Sequence, residues 1–200
     1  MERLQEGEKA LACMREWIDS LSPGEKVYKV LTPLGLECSF YNDPSWLEWQ
    51  KGDRKASFAI LNTKLRPVFQ KMYGDWMRER IESGIKVVRM VILDAPKGDD
   101  MRRWYLEYYL RRMLVPITGE TVYWLPRGKV RPELVGLRQD TTQIGGVGIM
   151  RAAYDESGVS ERLFYRQDAK EDRAGVEAGL LLVKTALQDA EQHGVRLLPA

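Results

Sequence analysis

Gly84-Ile85-Lys86-Val87-Val88-Arg89-Met90-Val91-Ile92-Leu93-Asp94 is the stretch whose reading decides the fold. From Lys86 to Leu93 it is nearly continuous in apolar, mostly β-branched side chains. A run of this length predicts a central strand covered on both faces, as in a parallel sheet between helices. Gly84 precedes it at the position past a helix end where a residue without Cβ adopts the left-handed conformation cheaply. The residues upstream agree. Arg66-Pro67 reads as a helix start, because a first-turn proline loses no needed hydrogen bond. Phe69, Met72, Tyr73, Trp76, Met77 and Ile81 then follow at three- and four-residue gaps as one apolar stripe. Gly74 weakens that helix by about 1 kcal/mol relative to Ala and reads as a point of close approach.

Downstream, Asp94-Ala95-Pro96-Lys97-Gly98 reads as a turn, and Asp99 or Asp100 as the N-cap of a helix reaching Leu114. Gly119 punctuates its exit, and Thr121–Leu125 reads as a second strand closed by Pro126. A β-α-β order implies a right-handed crossover and a parallel pair. Gly145, Gly146 and Gly148 mark a strand pair or bulged strand within 140–154. A turn at 155–158 leads to a strand at 160–165. Asp168 and Glu171 have capping-box spacing. Val176, Leu180, Val183, Leu187 and Ala190 form the stripe of a last helix stopped by Gly194.

Toward the N-terminus, Leu11, Met14, Trp17 and Ile18 place a helix over 8–19. Lys26–Leu31 and Leu36–Tyr41 flank Pro33-Leu34-Gly35 as a hairpin or two adjacent strands. Asp43-Pro44 opens a short helix carrying Trp46 and Trp49, and Ser57–Leu61 reads as a further strand. The expected fold class is α/β (or α+β): a mixed, partly parallel sheet flanked by helices in a single domain. Residues 1–65 are expected as a helical and hairpin extension packed on an α/β core of 66–200.

Composition limits the chemistry. The 200 residues include 31 Lys and Arg, 29 Asp and Glu, one His and two Cys, and 44% are hydrophobic. That is enough apolar material for a sizeable core. Cys13 and Cys38 lack the CxxC spacing of a redox or zinc site and read as ordinary thiols of a reducing compartment. No run of about 18 apolar residues would span a bilayer, and the charged Met1–Glu6 has no apolar stretch behind it. The cytoplasm is the expected location, with no membrane partner.

A single imidazole, His193, leaves no His pair for a zinc site and no G-x-S-x-G for it to serve. It reads as a cation at a helix C-terminus. Gly145-Gly146-Val147-Gly148 is not a dinucleotide fingerprint, and no Gly-Lys-Ser/Thr follows. No cofactor and no metal are expected on the first reading. Carboxylates remain: Asp94 ends the best strand, where α/β sheets place their sites. With Asp99 and Asp140 it makes the alternative of a Mg²⁺-dependent enzyme acting on nucleotides or nucleic-acid phosphodiesters. Turn and capping roles also account for these residues.

The charge is unevenly distributed. Residues 102–131 hold Arg102, Arg103, Arg111, Arg112, Arg127, Lys129 and Arg131 against Glu107 and Glu120, seven to two, or +5; residues 132–200 hold eight basic and eleven acidic groups, or −3. Trp104, Tyr105, Tyr108, Tyr109, Tyr123 and Trp124 interleave with the cations. Arg neutralises phosphate and flat rings stack on bases, so these seven basic residues are the candidate nucleic-acid-binding set. The competing reading is an ordinary solvated helix face over a core stripe. Arg127-Gly128-Lys129-Val130-Arg131 fits it least, because a turn needs no charge to fold.

The stretch Gly84–Pro96, the Asp-led helix after it, Gly119-Glu120-Thr121-Val122-Tyr123-Trp124-Leu125-Pro126-Arg127 and the Asp140 segment resemble a domain-of-unknown-function family common in actinobacteria. The likeness covers roughly 70–168. Here Asp140-Thr141-Thr142-Gln143-Ile144-Gly145 replaces that family's aromatic Asp-Phe-Trp-Leu-Phe-Asp strand. The resemblance implies a layout similar to half of a phospholipase-D-like α/β fold, without the His-x-Lys pair of that catalysis. It also implies a helix-turn-helix regulator as a neighbour. The function expected is a non-catalytic binding or regulatory module, acting through a protein partner and through DNA or RNA. A structural subunit of a defence or mobile-element assembly is a further alternative, with Trp46, Trp49 and the Gly175/Gly179 face as contacts.

Overall fold

Alternation along three apolar strands sets the architecture. The structure, a computed structural model, describes residues 2–32, 44–93, 109–135, 139–155 and 158–198. Strands β1 (Lys26–Leu31), β2 (Lys86–Leu93) and β3 (Thr121–Pro126) lie parallel, with Lys29 opposite Arg89 and Arg89 opposite Val122. Side chains in a strand point alternately to the two faces. Val27 and Leu31, Val87 and Val91, and Val122 and Trp124 therefore face one side; Tyr28 and Val30, Met90 and Ile92, and Tyr123 and Leu125 face the other.

The strands β4 (Gln139–Ile144), β5 (Gly148–Asp155) and β6 (Gly158–Arg166) form an antiparallel meander whose first member pairs with β1. The short β7 (Val195–Leu197) runs antiparallel to β3 at the other edge. Among the described residues the order is β6-β5-β4-β1-β2-β3-β7, a mixed, partly parallel sheet flanked by helices in one α/β domain.

The first face carries most of the helices. Helix α1 (Glu2–Asp19) lays Met14, Trp17 and Ile18 against Val27, Val87 and Ile144. Helix α2 (Pro44–Gln50) buries Trp46 and Trp49 against Val91, Val122 and Trp124. Helix α3 runs without a break through Arg54–Ile60, Leu61–Leu65, Arg66–Phe69, Gln70–Gly74 and Asp75–Glu82, its second and fourth pieces being π-turns. Helix α4, made of Tyr109–Leu114 and Val115–Thr118, packs beside it. The opposite face is covered by α6 (Arg173–His193) through Val183, Ala186 and Ala190, with Leu134 of the one-turn α5 (Pro132–Val135) below.

Four expectations are corrected. β1 is not one arm of a hairpin in an extension: both of its edges are taken, by β2 and β4, so it is the centre of the sheet. The other arm, 36–41, lies outside the described residues. Ser57–Leu61 is helical, because Asp53 caps the turn through the Ala56 N–H at 2.9 Å and Phe58, Leu61 and Leu65 share one buried face. The helix placed at Arg66-Pro67 therefore starts at Arg54, with Pro67 inside it and a π-turn on either side. The capping box at Asp168 does not form. Asp168 pairs with Arg166 at 3.1 Å, and Asp172 accepts the Arg166 N–H.

Two glycine readings hold. Gly84 follows the C-cap Ser83 with φ 102°, and a Cβ at Gly74 would overlap the Ile117 side chain where α3 meets α4. The anticipated contact surface of a larger assembly is internal. Trp49 is fully buried, and Cβ atoms at Gly175 and Gly179 would run into Tyr165 and Ile149.

Candidate functional site

A polar layer crosses the apolar first face. By the strand period, Lys29 sits between Val27 and Leu31, and Arg89 between Val87 and Val91, so both cations point inward. Their counter-ion comes from the exit of α4. Gly119, at φ 77°, returns its N–H to the Val115 carbonyl and ends the helix. The Thr118 hydroxyl donates to the Leu114 carbonyl at 3.0 Å and accepts the Glu120 N–H at 3.1 Å. This aims Glu120 beneath the sheet as β3 begins. Tyr73, in the second π-turn of α3, completes the group.

Both Glu120 oxygens are engaged. Arg89 donates from Nε to Oε2 at 2.6 Å and from Nη2 to Oε1 at 3.0 Å. The Tyr73 hydroxyl donates to Oε1 at 2.7 Å, and Lys29 Nζ reaches the same oxygen at 3.3 Å. Lys29 also donates to the Tyr73 hydroxyl and lies 4.9 Å from that ring's centre, a favourable cation–π approach. The side chains of Glu120 and Lys29 are 0% and 5% exposed. Removal of water permits such a cluster only if every charge is answered.

Burial drives the Lys29 ammonium down to about 8, Glu120 holding it up and Arg89 pushing it further down. Burial alone would raise the Glu120 carboxyl, but the charges of Arg89 and Lys29 and the hydrogen bonds outweigh it and hold the group at about 2. Burial, and then the Glu120 charge, push the Tyr73 phenol well above its ordinary value. At neutral pH the layer therefore holds two cations, one carboxylate and a neutral phenol that donates. Its chemistry is that of a lock between sheet and helices.

Of the sequence candidates, Asp94, Asp99, Arg102 and Arg103 lie outside the described residues, as does the side chain of Arg127. Asp140 Oδ1 accepts the Thr32 N–H at 2.8 Å and the Thr32 hydroxyl at 3.0 Å, tying the start of β4 to the end of β1. No group of three His, Cys, Asp or Glu side chains able to hold a metal ion occurs among the described residues. Arg111 and Arg112 lie in the π-turn of α4, each with a polar or ring partner.

Arg131 is engaged within the fold. Its Nε donates to Asp189 Oδ1 at 2.8 Å, its N–H to Oδ2 at 2.9 Å, and its Nη2 to Gln188 Oε1 at 2.6 Å. Lys129 remains exposed. Tyr123 and Trp124, read as part of a stacking surface, face the two opposite cores instead.

His193 is in the last turn of α6, where its placement suits the helix dipole. Cys13 is half-buried, its thiol pushed up by burial and by Glu16. Cys38 lies outside the described residues. No helix among the described residues is long and apolar enough to cross a membrane.

No family model, no curated protein and no solved structure matches this chain. The buried quartet was missed by sequence reading. Its signal was a charged residue at the inward position of two apolar strands, Lys29 and Arg89. In the sequence Glu120 shows only as one of two acidic residues among the seven cations of 102–131.

Proposed function

We propose that the chain is a non-catalytic binding and regulatory module that takes nucleic-acid phosphate at the carboxyl edge of its parallel strands and engages a protein partner elsewhere. The observation that carries the reading is the turn after β3. Arg127–Lys129 forms one 3-10 turn at the exit of that strand. Its downstream end is pinned by Arg131 to Asp189, whose side chain is 3% exposed. Lys129 is thereby held outward on a fixed base, and a Cβ at Gly128 would meet no neighbour. The carboxyl ends of parallel strands are where open α/β sheets take ligands.

Interior chemistry supports the same reading. Glu120 is enclosed and fully engaged, and Asp140 is engaged by Thr32. With Tyr123 and Trp124 packed on the cores, the turn offers charge and, among the described residues, no base-stacking platform. It suits phosphate contact, which positions a nucleic acid without reading its sequence.

The test is anisotropy of labelled mixed-sequence DNA and RNA between about 50 and 200 mM salt. Lys129→Ala and Arg127→Ala should each weaken binding and reduce the salt slope by about one. Absence of binding at the lowest salt, or slopes unchanged in both variants, refutes the proposal.

A further inference from the structure

The outer side of α3 carries a second charged surface. From 54 to 74 the chain holds Arg54, Lys55, Lys64, Arg66 and Lys71 and no Asp or Glu. Its inward residues Leu61, Leu65, Phe69, Tyr73 and Met77 recur at every fourth position. An α-helix turns once in 3.6 residues, so a four-residue repeat drifts by about 40° per step. Without correction the row would leave the core within a few turns. The two π-turns supply the correction. The Arg66 N–H bonds the Leu61 carbonyl and the Asp75 N–H the Gln70 carbonyl, each taking up an additional residue.

The same correction aligns the outward side chains. Lys64, Val68 and Met72 form one exposed row, and Thr63, Pro67 and Lys71 the next. Val68 and Met72 are each 54% exposed, two aliphatic side chains set among cations. The ion pairs among the described residues leave out Lys64, Arg66 and Lys71. Arg15 of α1 donates to the Met72 carbonyl and so braces the second π-turn from behind.

We propose that this face docks an acidic amphipathic segment of a partner protein, seating an apolar side chain between Val68 and Met72 and carboxylates on Lys64 and Lys71. Charge complementarity selects an acidic occupant. The two aliphatic residues select a peptide over nucleic acid, since phosphate gains nothing from them and neither exposed row carries an aromatic ring on which a base would stack. Methionine adapts its shape to an apolar partner, and lysine stems add apolar contact around a charged tip.

The proposal rests on the reading of the chain as a binding module but uses none of the residues of the Arg127–Arg131 turn. The experiment is selection of a displayed random-peptide library on the full chain, with counter-selection on Lys64→Glu/Lys71→Glu. Enriched peptides should carry Asp or Glu flanking Leu, Ile or Phe. A synthetic copy should bind the parent chain at least about tenfold more tightly than either Lys64→Glu/Lys71→Glu or Val68→Ser/Met72→Ser. All four side chains are exposed, so circular dichroism and melting should stay those of the parent chain. Lys129→Ala should leave peptide binding intact, which separates this proposal from the nucleic-acid reading. No enrichment, enrichment without acidic bias, or equal binding to the variants overturns it. So does loss of oligonucleotide binding in Lys64→Glu/Lys71→Glu with full retention in Val68→Ser/Met72→Ser.

Discussion

Glu120→Gln should be far more damaging than Lys29→Met, although the two side chains share one ion pair. Glu120 answers two buried cations, whereas Lys29 is one of two cations on a single carboxylate. Gln keeps the shape of Glu120 but removes the carboxylate charge that Arg89 and Lys29 share. Breaking a buried pair from one side costs about 3–5 kcal/mol, a large part of a total stability of about 5–15 kcal/mol. For a chain of this size the melting temperature should fall by roughly 10 °C or more. Lys29→Met removes the surplus cation, fills its space with an unbranched apolar chain and leaves Arg89 and Tyr73 on Glu120. Its effect should stay within about 1.5 kcal/mol of neutral.

The pH dependence follows from the same groups. Glu120 titrates at about 2 in the fold against 4.5 ordinarily. Its stabilisation is therefore complete above pH 4.5 and lost as the pH falls toward 2. Lys29 titrates at about 8 against 10.5. The penalty of burying its charge is complete below pH 8 and is relieved as the pH rises to 10.5, where the unfolded chain holds the extra proton. Each window spans about 2.5 pH units, or roughly 3 kcal/mol. Urea unfolding of the parent chain and both variants across pH 3 to 10 measures this. Lys29→Met should abolish the alkaline rise, and Glu120→Gln the acid loss. Equal damage from the two variants, or a Glu120→Gln chain within about 1 kcal/mol of its parent, would refute the reasoning.

Three further outcomes are expected. Gly74→Ala should destabilise by about 1–3 kcal/mol despite the better helix propensity of Ala, because the new methyl overlaps Ile117; adding Ile117→Ala should recover part of the loss, a coupling that thermal melts of the double variant would reveal. Asp189→Asn removes the carboxylate charge that holds Arg131, and limited trypsin digestion should then cut after Arg127 or Lys129 faster than in the parent chain. Asp140→Ala removes the oxygen that accepts the Thr32 N–H and hydroxyl at the end of β1, and chemical denaturation should register about 1–3 kcal/mol.

The local level was legible because local physics decides it. The apolar run of Lys86–Leu93 is a central strand, Gly84 ends a helix, and the 3.6-residue stripe of the last helix packs on the sheet. Errors arose where distant partners overrule local pattern. Lys26–Leu31 reads as a hairpin arm because a strand's own residues do not say which strands will lie beside it. Ser57–Leu61 reads as a strand because a short apolar run has no clear period. Its helical state depends on Asp53 and on the four-residue row that continues to Met77. Arg131 and Lys129 are both cations in one turn, and only the position of Asp189, 58 residues from Arg131, makes one an anchor and leaves the other exposed.

By itself the amino-acid order determined the α/β class, the central parallel strand, the main helices and the shortage of imidazole and thiol, since periodicity, glycine placement and composition are properties of neighbours along the chain. Tertiary structure alone decided which charges face solvent. Lys29, Tyr73, Arg89 and Glu120 are separated by up to 91 residues, and the Coulomb energy that binds them becomes large only when packing removes the water between them.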